Sequence, residues 1–290
     1  MWGLLNIHKP YDVTSRDVVN HVQRLVRPHR AGHAGTLDPL ATGVLVVCVG
    51  AATRLIEFVQ GLPKTYVATF LLGRASETED IESPVEELAD PPIPTRDEVV
   101  GVLPRFSGEI LQRPPAYSAL KVHGHRAYAL ARRGQTVELK PRPIVIHHLE
   151  VMRYEYPELT LAVQCGSGTY IRSLGRDIAA AMGTAAVMSA LERTAIGRFS
   201  IDDACTLEQL TEQTLETHLL PAIRAVDHLP LLRLNARDAE EIAHGRAIPG
   251  AIPGDAPLAV AVDATTGTLL GLLRSLQPGV LQPHRNFVTQ

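Results

Sequence analysis

The segment His33 to Gly50, HAGTLDPLATGVLVVCVG, sets one ionisable carboxylate, Asp38, in a polar loop directly ahead of the apolar run VLVVCV. A carboxylate there has the chemistry of a nucleophile, of a proton acceptor, or merely of a cap for turn amides. The stretch GTLDPLATG carries two glycines and one proline in nine positions. Such a composition fixes an unusual backbone at low steric cost, and Pro39 biases Asp38 away from the α region. A constrained loop in front of a buried strand is one way to preorganise a catalytic group. For a lone Asp among glycines the turn cap is the simpler reading, and it loses ground only if other stretches agree.

The 290 residues suit one large domain or a large one with a small one. Apolar residues make up 45% and aromatics only 4%, so Leu, Val, Ile and Ala must fill the core. No run of 18 apolar residues marks a membrane helix. The segment MWGLLNIHKPYDVTSRD does not read as a signal peptide. Cys48, Cys165 and Cys205 form no CxxC pair, which argues against a zinc site or a disulfide framework and makes the cytoplasm the default compartment. The net charge of −3 conceals a block pattern: +3 over residues 1–70, −7 over 71–110, +6 over 111–200 and −5 over 201–290. One basic face on a mildly acidic protein is consistent with nucleic-acid binding, as is chance clustering on a solvated surface.

The elements that must position Asp38 follow from periodicity and capping. LLNI (4–7) reads as a strand. Thr14 with Asp17 forms a capping box for a helix to about Val26, whose stripe is Val18, Val19, Val22, Leu25 and Val26. VLVVCV reads as a buried strand, and residues 52–61 as a helix stopped by Gly61. In KTYVATFLLG (64–73), alternation places Tyr66, Ala68 and Phe70 on one strand face. The acidic, Pro-rich stretch 75–94 reads as a surface loop. Thr95 and Glu98 open a short helix, 124–134 has a helix-like centre, 144–156 and 158–165 are neighbouring strands, and 169–183 is a helix after a GSG turn. Thr206 with Gln209 is a further cap candidate. After Pro230, Asn235 and Asp238 cap a short helix, and 258–263 with 268–273 form a hairpin about a TTG turn. Strands in antiparallel-looking pairs with few helices predict an α+β fold rather than a doubly wound sheet. A domain boundary is expected near 228–232.

Several of these stretches, in the same order, resemble the TruB-type tRNA pseudouridine synthases. GHAGTLDPLATGVL is similar to the family's signature loop, KPYDVTS (9–15) to its N-terminal KPxGxTS motif, and KTYVATFLLGRASETED (64–80) to its tyrosine-bearing strand. CGSGTYIRSLGRDIAAAMG (165–183) is similar to its arginine motif, and RPPAYSALKVHGHRAYALARRG (113–134) to its central insert. The resemblance spans residue 3 to about residue 200. Asp12 departs from it where the family has Gly, and Glu192 where a basic residue is common. The region after 230 resembles a small C-terminal PUA-like RNA-binding domain through weaker motifs.

The resemblance implies a mainly antiparallel catalytic domain (1–230) with a thumb-like insert (about 120–143), and a small β-rich domain (231–290). It implies isomerisation of uridine to pseudouridine at position 55 in the T-loop of tRNA, without cofactor or metal, by a monomer that needs no protein partner. Asp38 becomes the essential carboxylate, Arg172 its buried partner and Tyr66 the ring that stacks on uracil and handles the C5 proton. His33 is assigned to the flipped nucleotide, Tyr170 to substrate binding, and Lys121, Arg126, Arg132 and Arg133 to the RNA backbone. A free Asp ionises near 3.9 and a free Tyr near 10, so tyrosine is a poor base unless geometry helps. A protein that only binds or folds RNA would share the cleft, and a small-molecule uracil lyase would share the carboxylate without needing a basic insert.

Overall fold

The computed structural model describes residues 1–118, 121–122, 125–126 and 139–288. The first thirteen strands are β1 (Gly3–Lys9), β2 (Ala31–His33), β3 (Thr42–Val49), β4 (Lys64–Leu72), β5 (Arg74–Ala75), β6 (Glu86–Glu87), β7 (Gly108–Gln112), β8 (Lys121–Val122), β9 (His125–Arg126), β10 (Arg142–Glu155), β11 (Glu158–Cys165), β12 (Ala186–Ile196) and β13 (Phe199–Ser200). One sheet runs in the order β1-β3-β12-β4-β11-β10-β7, with β2 alongside β3 and β13 alongside β12. Its pairings are antiparallel except for a short parallel contact between β3 and β12. The α+β expectation holds.

The helices form where side chains cap them. Helix α1 (Ser15–Leu25) begins at Thr14, whose hydroxyl accepts from the Asp17 amide while the Asp17 carboxylate accepts from the Thr14 amide. Val18, Val19 and Val22 then face Leu5, Ile7, Leu45 and Val47 of β1 and β3. Residues 50–55 form a 3-10 turn, and only Ile56–Gly61 is α-helical (α2). Helix α3 (Arg96–Val102) opens on the Thr95–Glu98 capping box. Helix α4 (Ile171–Ala181) packs on β4 and β12 through Ile171, Leu174 and Ile178. Its Gly175 is a close-approach position: a Cβ there would lie 2.0 Å from a Phe70 ring carbon.

β12 lies between β3 and β4 and has no counterpart among the strands expected from periodicity. Gly43, with φ +98°, permits its approach to β3, since a Cβ there would sit 2.2 Å from the Arg193 carbonyl oxygen. The acidic stretch also differs from a plain surface loop. β5 and β6 pair, and Asp80 is 1% exposed because the loop turns inward to meet a guanidinium. Thr206 and Gln209 hydrogen-bond, but a turn rather than a helix follows them directly.

Beyond residue 230, β14 (Leu231–Leu234), β15 (Ile248–Pro249), β16 (Ala259–Asp263), β17 (Leu269–Gln277) and β18 (Val280–Asn286) make a second sheet in the order β14-β16-β17-β18-β15. The Asn235-capped helix Ala236–Ala243 lies against it. Val260, Val262, Leu269 and Leu272 of this sheet share one apolar cluster with Val44, Val46, Leu55 and Val59. Trp2 stacks on Phe287 at 5.4 Å between ring centres, and Arg285 pairs with Glu57 across the same contact.

Candidate active site

The backbone that presents Asp38 is braced by the chain around it. Ser15 Oγ donates to the Leu37 carbonyl and accepts from the Leu37 amide. The Leu40 amide donates to Glu82 Oε1 at 2.9 Å. Lys9, fully buried, donates to the carbonyls of Pro10, Val13 and Pro39. Asp12 donates its amide to the same Pro39 oxygen and adopts φ +58°, the conformation that a glycine takes most easily. The backbone on either side of Asp38 is therefore tied to its neighbours. Among the described residues the Asp38 carboxylate accepts no backbone amide, so it is not a turn cap.

The carboxylate instead meets Arg172, at 3.1 Å from Nε to Oδ2 and 3.5 Å from Nη2 to Oδ1. The guanidinium is 7% exposed. Its Nη1 reaches Asp80 Oδ2 at 3.3 Å and the Thr78 carbonyl at 2.7 Å, and its Nη2 reaches the Tyr117 carbonyl at 3.1 Å. A two-pronged grip fixes orientation as well as charge. Asp80 was not legible as a site residue, but its Oδ1 is itself held by the Glu82 amide and the Thr78 hydroxyl. Arg176, on the same helix, pairs with Glu79 and so pins the loop to α4. Burial pushes the Asp38 carboxyl above its ordinary range, Arg172 pulls it back down, and the Asp80 charge adds to the rise.

Asp38, Arg172, Tyr66 and Tyr170 line a single cleft of about 310 Å³. Tyr66 stands on β4 opposite Val163 of β11 and Arg193 of β12, and is 6% exposed. Burial raises its phenol above the ordinary value, while the adjacent Arg193 guanidinium acts in the opposite sense. Tyr170 precedes α4, and its ring lies under the Arg142 guanidinium, 5.2 Å from the ring centre. His33 is half-buried at the end of β2, with Nδ1 accepting from the Gly35 amide, and it does not line the cleft. Burial lowers its pKa, with Arg16 and Arg193 adding to the effect, which favours the neutral ring.

Lys121 and Arg126 face each other in register on β8 and β9; their side chains lie outside the described residues, as do Arg132, Arg133 and the helix-like centre expected at 124–134. Among the described residues no cluster of His, Cys, Asp or Glu could hold a metal ion. Three cationic cleft residues were missed: Arg142 and the buried Lys64 and Arg193, the last two 7% and 1% exposed. The signal for the buried two was phase. Lys64 alternates with Tyr66, Ala68 and Phe70, and Arg193 alternates with Leu191, so each cation falls on an inward face.

The arrangement offers an oriented carboxylate, an aromatic ring and buried cations around one cleft. Comparison with known proteins agrees with it. Residues 23–171 match the model of the TruB family pseudouridylate synthase N-terminal domain, and residues 172–229 that of the tRNA pseudouridylate synthase B C-terminal domain. A tRNA pseudouridine synthase B of Caulobacter sp. (strain K31) is 42% identical over 98% of this chain and 96% of its own. One of Dehalococcoides mccartyi (strain CBDB1) is 37% identical over 100% and 98%. Among solved structures, the crystal structure of a Cbf5-Nop10-Gar1 complex matches with TM-score 0.76 and 27% identity, over 99% of this chain and 84% of that one. With both family models and near-complete relatives matching, and with Asp38 of GTLDP in the grip of Arg172, the chain belongs to the TruB family of pseudouridylate synthases.

Proposed function

We propose that this protein converts uridine to pseudouridine at position 55 in the T-loop of tRNA, with Asp38 as the essential carboxylate. The observation that carries this reading is Asp38 itself: presented by a braced loop, gripped by Arg172 and open to a cleft that fits one nucleotide base. The relatives named above act on tRNA by name, and the family assignment extends that chemistry to this chain.

In the reaction the C1′–N1 bond breaks, the uracil turns, C5 bonds to C1′, the C5 proton leaves and N1 gains a proton. Atoms and electrons balance without a redox partner. Asp38 acts as an ionised group, whether by attack on the sugar, by attack on the base or by removal of the ribose 2′ proton. Arg172 keeps it ionised and aimed. Tyr66 stacks on the uracil, and its hydroxyl serves the late loss of the C5 proton. Since burial raises that phenol, it starts the cycle protonated and acts through its oxygen lone pair or a relayed proton.

A stacked base is out of reach of such a cleft, so the target is flipped out at a cost of a few kcal/mol. Tyr170 with Arg142, His33 and the basic insert around Lys121, Arg126, Arg132 and Arg133 offset it by holding the loop. Phosphate contacts there position the RNA, and recognition follows its folded shape. The unit from residue 231 adds an RNA contact of PUA-like type. The protein acts as a single chain in the cytoplasm; none of its described helices is long and apolar enough to cross a membrane.

The test is site-resolved pseudouridine mapping of an unmodified tRNA after incubation with the purified protein and no added cofactor. Pseudouridine confined to the T-loop uridine is expected. Unmodified tRNA, or modification elsewhere only, would refute the reading.

A further inference from the structure

The cleft has two walls of opposite electrostatic design. On one, Arg172 sits between Asp38 and Asp80, and its charge is answered. On the other, Lys64 and Arg193 are buried and, among the described residues, neither pairs with a carboxylate. Lys64 Nζ donates to the carbonyls of Gln60 and Leu62, at 2.6 and 2.7 Å. Arg193 Nε donates to the Val44 carbonyl at 2.7 Å and Nη2 to the Gly35 carbonyl at 3.1 Å, while the guanidinium charge acts on the Tyr66 phenol. These carbonyl dipoles accept from part of the N–H groups but supply no countercharge.

Burying a cation without an anion is costly, and two neighbours of like sign repel. Burial, and after it the Arg193 charge, lower Lys64 to about 8. Both side chains are nevertheless presented to the cleft by strand register. Lys64 and Tyr66 share the inward face of β4, and Arg193 stands directly across from Tyr66 on β12. A ring stacked on Tyr66 would lie beside both charges.

We propose that Lys64 and Arg193 form an anion-stabilising wall for the uracil ring, accepting the negative charge that appears on the base when its bond to C1′ is cut. This rests on the function proposed above, and goes beyond it by assigning the charge of the departing base to two residues. The charge develops by every route open to Asp38. Cleavage leaves the C1′–N1 electron pair on N1, delocalised to O2 and O4, and attack on the base sends electrons to O4. Preorganised cations in a site shielded from water act on such charge without reorganising. Arg193 also ties this wall to the Asp38 loop through the Gly35 carbonyl.

The experiment compares two tRNAs in single-turnover reactions, one containing uridine and one 5-fluorouridine, with consumption of the starting nucleoside as the readout for both. The ring fluorine stabilises a uracil anion unaided. Lys64→Met and Arg193→Met should slow the uridine substrate by about 10²-fold, with a loss several-fold smaller on the fluorinated one. Arg193→Lys should recover part of the rate. tRNA affinity and melting temperature are measured in parallel, and if Arg193→Met does not fold, Lys64→Met decides alone, its bonds being confined to two carbonyls at the end of α2. Equal losses on both substrates, or no loss from Lys64→Met, would overturn the proposal. Absence of product with the parent chain would instead contradict the function itself.

Discussion

Asp38 combines two opposing influences that a pH profile can separate. Its carboxyl lies above the ordinary range because burial outweighs the pull of Arg172. Activity that needs the ionised form should rise with pH through an inflection above the value of about 3.9 expected for a free Asp. Arg172→Met removes the favourable charge, so the rising limb should move to higher pH as well as fall in height. An unmoved limb would mean that the inflection belongs to another group. Tyr66→Phe keeps the ring, and base stacking is worth about 1–3 kcal/mol, so tRNA binding should change little. Single-turnover formation of product should slow strongly, whereas Tyr66→Ala should harm both; a Phe variant as fast as the parent would leave the hydroxyl without a role. Asp38, Tyr66, Arg172 and Tyr170 were legible because each lies in a motif whose residues stand close in sequence. Asp80, Lys64 and Arg193 were not, because their burial arises only when distant segments meet: Asp80 reads as one more charge in an acidic run until Arg172 turns it inward.

At the scale of elements, the site depends on how closely α4 lies on the sheet. Gly175 faces the Phe70 ring with no room for a methyl group. Gly175→Ala would raise intrinsic helix propensity but must push α4 away from β4. Overpacking of this kind costs about 1–3 kcal/mol, so a lowered melting temperature is expected despite the better helix former. Arg172 lies one turn earlier on the same helix, so the rate should fall as well. A more stable variant with unchanged rate would show that the helix position is not critical. The helices α1, α3 and Ala236–Ala243 were readable from their caps, since Thr14, Thr95 and Asn235 each bind the amide three residues on. β12 escaped because its pattern is broken by irregular pairing near Met188 and Arg193, and because it is held by partners more than a hundred residues away in sequence.

At the scale of the whole molecule, the second sheet is joined to the first by a continuous apolar cluster, a ring stack and a charged pair. Removal of residues 231–290 would expose the core around Val44 and Val46 as well as delete the second sheet, so the shortened chain should melt earlier and aggregate, and the full chain should unfold in one calorimetric transition. Two well-separated transitions would contradict this coupling. Charge segregation, legible as sequence blocks, predicts where RNA approaches. Replacing Arg132 and Arg133 together by Ala should weaken tRNA binding and lower its salt slope by roughly 1 for each phosphate no longer neutralised. Unchanged affinity and slope would leave them as solvated surface residues.

The most direct test of the account is a single-turnover comparison of the parent and Asp38→Asn on the same unmodified tRNA, with bound fraction and melting temperature recorded for both. Asn preserves size but cannot ionise. A carboxyl whose folded pKa is raised costs stability once ionised, so its removal should leave the melting temperature at neutral pH unchanged or higher. The account predicts a folded variant that binds tRNA and forms no pseudouridine. Pseudouridine formed by Asp38→Asn near the parent rate would remove the carboxylate from the mechanism and contradict the central claim.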